Sequence, residues 1–210
     1  AGLFILSVVF GVMPTSPPVD VMLIILAVCM CAACMEAVGG LDILVRFAAR
    51  VIRSNPKYVA VIAPVVSFFL TFFAGTGNAV YAILPVIYEV SYNAGVRPER
   101  AMAGAAVAGQ VGITASPIAA ATAAMIGLLA ANGHAELGLG SILMVTFPAC
   151  LTGVVVASVL LMRHGKELKD DAEYQARLAA GLVKAPTPID NKPLPKEAGR
   201  SVIIFALAIL

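Results

Sequence analysis

The stretch Phe73-Ala74-Gly75-Thr76-Gly77-Asn78-Ala79-Val80 joins two apolar segments, 58–74 and 79–92, and the outer flanks of both carry basic residues. As helices these segments measure roughly 21 to 26 Å, shorter than the hydrocarbon layer of about 30 Å. A chain that enters a bilayer and turns back within it fits both observations. Irregular backbone at membrane depth is tolerated only where protein or an aqueous cavity satisfies its N–H and C=O groups. The turn 75–78 is therefore a candidate binding position.

The composition fits a bilayer as solvent. Hydrophobic residues make up 60% of the chain and charged residues 12%, about half the charged share of a soluble domain. Val21 to Ala33 and Ala119 to Ala131 are almost continuously apolar, whereas barrel strands would alternate. The expected fold class is an all-α polytopic membrane protein. A net charge of +2 gives no reason to expect nucleic acid as a partner.

The basic residues set the topology. Arg46, Arg50, Arg53 and Lys57 follow the apolar run 19–38, and the connection 14–20 has neither Lys nor Arg. The positive-inside rule puts 41–57 in the cytoplasm and 14–20 outside. Arg97 and Arg100 place 93–100 inside, as do the eight Lys and Arg side chains of 163–200. The connection 132–140, with His134 and Glu136, belongs outside.

The next apolar stretch, 101–131, would make roughly 46 Å of helix and is expected to break at Gly112-Ile113-Thr114-Ala115-Ser116-Pro117. Pro117 cannot donate to the preceding turn and biases Ser116 away from helical geometry. Asn78 and Ser116 read as N-caps of the half-helices 79–92 and 117–131, with Pro117 at a first helical position. Two positive helix ends would then point into the bilayer, as in secondary transporters that hold anionic groups at discontinuous helices. Small residues at Gly104, Ala105, Ala108 and Gly109 predict close packing inside a bundle.

The expected organisation is a membrane repeat over 1–162. It comprises helices about 1–13 and 19–38, a hairpin 58–74/79–92, a broken helix 101–113/117–131 and a helix 141–162. A cytoplasmic linker 163–200 and the truncated start of a second repeat, 201–210, follow. Ala1 opens inside an apolar run without an initiating Met, and both ends read as cut.

Other residues have ordinary readings. Cys29, Cys31 and Cys34 are small apolar residues of a membrane helix rather than a metal or redox cluster, since no His or further Cys pair is near. Glu36 and Glu89 lie near helix ends, where function and snorkelling are equal readings. Tyr81 reads equally as cavity lining or packing. Leu168, Tyr174, Leu178 and Leu182 outline a surface helix.

The chain resembles the anaerobic four-carbon dicarboxylate uptake (Dcu) transporters. The resemblance rests on Pro17-Pro18-Val19-Asp20, Gly39-Gly40-Leu41-Asp42, Asn55-Pro56-Lys57-Tyr58, Gly75-Thr76-Gly77-Asn78, Leu84-Pro85-Val86-Ile87, Arg97-Pro98-Glu99-Arg100 and Ile113-Thr114-Ala115-Ser116-Pro117-Ile118. It implies the N-terminal half of a bacterial inner-membrane transporter that exchanges fumarate, malate or aspartate for succinate during anaerobic respiration. It also implies kinship with the ion transporter superfamily, in which each of two inverted repeats contributes a re-entrant hairpin and a broken helix. The Ser-Asn-Thr motifs of sodium-coupled members are replaced here by Gly-Thr-Gly-Asn and Thr-Ala-Ser-Pro, so no metal residues are assigned.

The candidate substrate-binding residues are Gly75, Thr76, Gly77, Asn78, Thr114, Ala115, Ser116 and Pro117. No cofactor is expected beyond a coupling Na+ or H+. The expected partners are a dicarboxylate and the lipid bilayer, with a homodimer and a membrane sensor kinase as further candidates. The chain carries no HExxH or GxSxG motif, and an enzyme is not expected. A symporter for another small organic anion, such as citrate or lactate, and a sensor subunit that binds without transporting stay open.

Overall fold

The computed structural model describes residues 8, 11, 19–162, 168–182, 199–200 and 203–204. The expected helix 1–13, much of the linker 163–200 and most of the segment 201–210 lie outside the described residues. Among the described residues the chain is helical throughout. The helices are α1 (Val19–Ala37), α2 (Gly40–Ser54), α3 (Val59–Ala74), α4 (Ala79–Ala94), α5 (Pro98–Thr114), α6 (Ala120–Ala131), α7 (Leu139–Met162) and α8 (Ala172–Ala179).

Helix α2 is not among the expected helices, since 41–57 reads only as a basic segment between membrane helices. Its Ala48, Ala49 and Ile52 are buried in the same apolar cluster as Val59 and Ala63 of α3 and Ile83 and Ile87 of α4. Leu41, Leu44 and Val45 flank that cluster, so the apolar residues fall at the spacing of one helix face. The far end of α2 ties the base of the α3/α4 pair together, because Arg53 donates to Glu89 at 2.9 Å. Glu89, ambiguous in sequence, is thus an ion-pair partner. Since Arg53 precedes α3 and Glu89 lies near the end of α4, the two helices form a hairpin whose tip is 75–78.

The core of the bundle is the crossing of α3 and α5, which glycine brings close. A Cβ on Gly112 would stand 2.2 Å from Thr71 Oγ1 and 2.5 Å from the Phe68 carbonyl oxygen, and one on Gly109 would stand 2.1 Å from Val80 Cγ2. Gly104, Ala105, Ala108, Gly109 and Gly112 are all buried, and they form the packed stripe of α5. The neighbouring hydroxyls satisfy themselves along α3, with Ser67 Oγ donating to the Ala63 carbonyl and Thr71 Oγ1 to those of Ser67 and Phe68. Helix α7 covers this crossing. Its Phe147 ring lies 5.2 Å from Phe72, edge to face, and 6.0 Å from Phe68.

By length and composition, Pro56–Ala74 and Leu139–Met162 are long and apolar enough to cross a membrane. Helix α4, continuous with the tip, has 16 residues and about 24 Å of length.

The expected surface helix is shorter than its apolar spacing suggested. A 3-10 turn at Leu168–Asp170 precedes α8, and Leu178 and Leu182 are exposed. Asp171 accepts from the backbone N–H groups of Glu173 and Tyr174 as the cap of α8 and from the Arg97 guanidinium at the start of α5. The Tyr174 backbone N–H, with that of Glu173 and the Arg97 charge, holds the Asp171 carboxyl below the usual carboxylate range.

Two outcomes follow from these contacts. Gly112→Ala should overpack the α3/α5 crossing, where such insertions cost about 1 to 3 kcal/mol, and lower the melting temperature in detergent. Gly140→Ala, whose added Cβ meets nothing within 4 Å, should leave it unchanged. A carboxyl with a lowered pKa holds its contacts above its unfolded pKa and loses them as pH falls through the folded value. Helix α8 should therefore stay docked between pH 8 and 5 and release only below about 4, the ordinary carboxylate range. Spin labels at positions 93 and 178 would report the separation, and release between pH 7 and 5 would assign the switch to another group.

Candidate functional site

Helix α3 ends at Gly75, whose φ of 68° is the left-handed geometry of a helix C-terminus, and its N–H bonds the Thr71 carbonyl at 2.8 Å. The chain then turns tightly, with Val80 N–H on the Gly77 carbonyl and Tyr81 N–H on that of Asn78. Asn78 itself is in helical geometry and makes no side-chain cap. The capping oxygen is instead Thr76 Oγ1, which accepts from the Asn78 N–H at 3.4 Å. The expected Asn78 cap is corrected accordingly, and its amide is exposed.

The second break runs through 115–119. Helix α5 continues to Thr114, and α6 restarts at Ala120 rather than 117, with Ala119 in extended geometry before it. Pro117 is therefore not at a first helical position, and Ser116 does not cap the second half-helix. The local cap rule loses to a longer-range bond. Ser116 is fully buried, and its hydroxyl donates to the Phe72 carbonyl at 2.7 Å while accepting from the Ile118 N–H. Thr122 Oγ1 in turn donates to the Ser116 carbonyl at 2.7 Å. Phe72 belongs to the last turn of α3, whose final carbonyls have no intrahelical partner. One break thus completes the hydrogen bonding of the other.

The breaks also touch sterically. A Cβ on Gly75 would lie 2.7 Å from Ile118 Cγ1 and 3.2 Å from the Ile118 carbonyl oxygen, while one on Gly77 would lie 2.9 Å from both Gln110 Nε2 and Ile113 Cδ1. The structure therefore gathers 75–78 and 114–118 into one cluster. Within it Asn78 and Thr114 are exposed, Gly75, Thr76, Gly77 and Pro117 are half-buried, and Ala115 and Ser116 are buried. Tyr81 is 62% exposed and is not core. Sequence reasoning missed Gln110, which lies against Gly77. The signal was present, since Gln110 is the one polar side chain between Ala101 and Ile113.

Lys and Arg are absent from 58–92 and from 101–131. An apolar cleft of about 500 Å³ between α5 and α7, lined by Pro64, Val107, Cys150, Val154 and Leu161, lies away from the tip and offers an anion no donors. Among the described residues no group of three or more His, Cys, Asp or Glu side chains gathers as metal ligands would. Cys34 is an exposed free thiol, and the side chains of Cys29 and Cys31 lie outside the described set. Glu36 is exposed.

The pattern of the anaerobic C4-dicarboxylate membrane transporter family, DcuA_DcuB, matches residues 1–210. The chain belongs to that family. It is 42% identical over 177 residues to the anaerobic C4-dicarboxylate transporter DcuB of Escherichia coli O6:H1, covering 83% of this chain and 40% of the relative. To the C4-dicarboxylate transporter DcuA of Escherichia coli K12 it is 44% identical over 184 residues, covering 87% and 42%. To DcuA of Wolinella succinogenes it is 38% identical over 211 residues, covering 100% and 47%. The chain thus spans less than half the length of these relatives. No solved structure matches. The family is one of membrane transporters and not of enzymes.

The two exposed and buried hydroxyls separate by experiment. Ser116→Ala leaves a buried carbonyl and a buried N–H without their hydroxyl, at about 1 to 3 kcal/mol per orphaned group, and should lower thermal stability and transport together. Thr114→Ala, on the exposed face, should weaken transport with little change in melting temperature. Detergent melting curves beside vesicle uptake would show this split, and equal stability losses in both variants would contradict it.

Proposed function

We propose that the chain is the N-terminal half of a secondary transporter for four-carbon dicarboxylates, fumarate, malate, aspartate and succinate, in the bacterial inner membrane. The observation that carries this reading is the contact between two helix interruptions, Gly75–Asn78 and Ala115–Ala119, within segments free of Lys and Arg. A dianion must then be met by neutral donors. The first turn of a helix presents a positive dipole end, as at the start of α4. The exposed Asn78 amide and the Thr114 hydroxyl stand beside it. Ser116, engaged on both sides, positions the two breaks rather than touching substrate.

In this reading the hairpin α3/α4 is re-entrant, and the remaining half of the transporter supplies the inverted counterpart and the coupling through exchange, Na+ or H+. Alternating access moves the hairpin and broken helix as one piece, because the α3/α5 crossing has no free volume and Ser116 ties the breaks together. The polypeptide feet of the hairpin face the cytoplasm beside Arg53 and Arg97.

Counterflow of labelled fumarate in vesicles holding the full-length transporter tests the activity. Succinate should compete and its monoamide should not, since one carboxylate's donors would be left unpaired. Equal competition by the monoamide, or preference for citrate, would overturn the two-carboxylate site. A cysteine at position 77 should be shielded from an impermeant external reagent and be protected by substrate. Rapid labelling indifferent to substrate would overturn the re-entrant placement.

A further inference from the structure

Helix α5 has two faces with different chemistry. Its buried stripe is Ala and Gly, and its exposed stripe is Ala103, Val107, Gln110 and Thr114. An amide on that stripe has no apolar use, and burying it against hydrocarbon without a partner costs several kcal/mol. No described residue hydrogen-bonds the Gln110 side chain, although its Nε2 and Oε1 lie 2.9 and 3.2 Å from where a Gly77 side chain would begin. The glycine leaves the space that the amide occupies. Gln110 and Thr114, one helical turn apart, therefore present an amide and a hydroxyl to the hairpin tip beside Asn78.

A carboxylate only accepts, so the hydroxyl, the helix-end N–H groups and the NH2 of an amide suffice to hold it. The carbonyl half of the Gln110 amide has no role in a site that binds carboxylates alone. A hydroxyl or ammonium on the second carbon of a four-carbon diacid is a donor that would satisfy it. We propose that Gln110 is a specificity-determining residue that senses the substituent on the second carbon of the substrate, accepting a hydrogen bond through Oε1 while Nε2 faces the neighbouring carboxylate. Gly77 is its counterpart, because any side chain there displaces the amide. The inference rests on the dicarboxylate reading of the same site.

The test uses the full-length transporter in vesicles, with succinate and fumarate as unsubstituted substrates and malate and aspartate as substituted ones. In Gln110→Met, similar in length and without the amide, apparent affinity for malate and aspartate should fall about tenfold relative to succinate, the scale of one lost hydrogen bond. Gln110 is exposed and unbonded to described residues, so the variant should melt as the parent does. Gly77→Ala should shift the same ratio in the same direction by crowding the amide. A purely structural effect would lower all four substrates equally and leave the ratio unchanged, which would overturn the inference. If Gln110→Met does not accumulate, the ratio in Gly77→Ala decides. Failure of the wild-type protein to transport any of the four overturns the dicarboxylate reading itself, whereas wild-type transport with an unaltered ratio in the variants overturns only the role of Gln110.

Discussion

The hydrogen bond from Ser116 Oγ to the Phe72 carbonyl holds the tip of the bundle together. It joins positions 44 residues apart in sequence and resolves a problem common to both breaks. A helix that stops inside an apolar environment exposes carbonyls with no water to bond. Helix α3 hands one of these to a serine on the next break, and that serine's own surroundings are completed by the Ile118 N–H and the Thr122 hydroxyl. Two interruptions that would each be costly alone are compatible because they are adjacent. Glycine makes the adjacency possible, at Gly75 against Ile118 and at Gly112 against Thr71.

The same arrangement explains how a segment without cationic side chains could suit an anion. Fixed Lys or Arg in a low-dielectric interior carries a desolvation penalty of several kcal/mol whenever the substrate leaves. Neutral donors and helix ends avoid that penalty in the empty state. Several charges of the described region stand at helix ends and are paired there, Arg53 with Glu89 and Arg97 with Asp171 and Glu99. Membership of a dicarboxylate transporter family is consistent with this division between a neutral interior and a charged rim.

Much of the architecture was legible because apolar run length is a strong signal in a chain of this composition. Helical character throughout and the pause at 75–78 follow from it. Helix α2 is hidden in the sequence because Arg46, Arg50, Arg53 and Lys57 read as topology markers, while the apolar positions 41, 44, 45, 48, 49 and 52 carry the helical period. The caps failed for a different reason. Asn78 and Ser116 are good cap types, but whether a hydroxyl bonds its own helix or a neighbour depends on tertiary contacts that no local rule contains. Gln110 sits on the intact helix α5, outside the broken backbone, and an intact helix can also present a polar group to a site.

The trans-acting serine also has a consequence for how the chain is made. The Phe72 carbonyl emerges from the ribosome 44 residues before the hydroxyl that bonds it. At about 5 to 20 residues per second, that interval is roughly 2 to 9 s. Until Ser116 arrives, the hairpin end has to keep water or another partner on that oxygen, which favours a waiting position near the polar interface over one within the hydrocarbon. If the hairpin is re-entrant as proposed, its insertion to full depth follows the synthesis of the helix that carries Ser116.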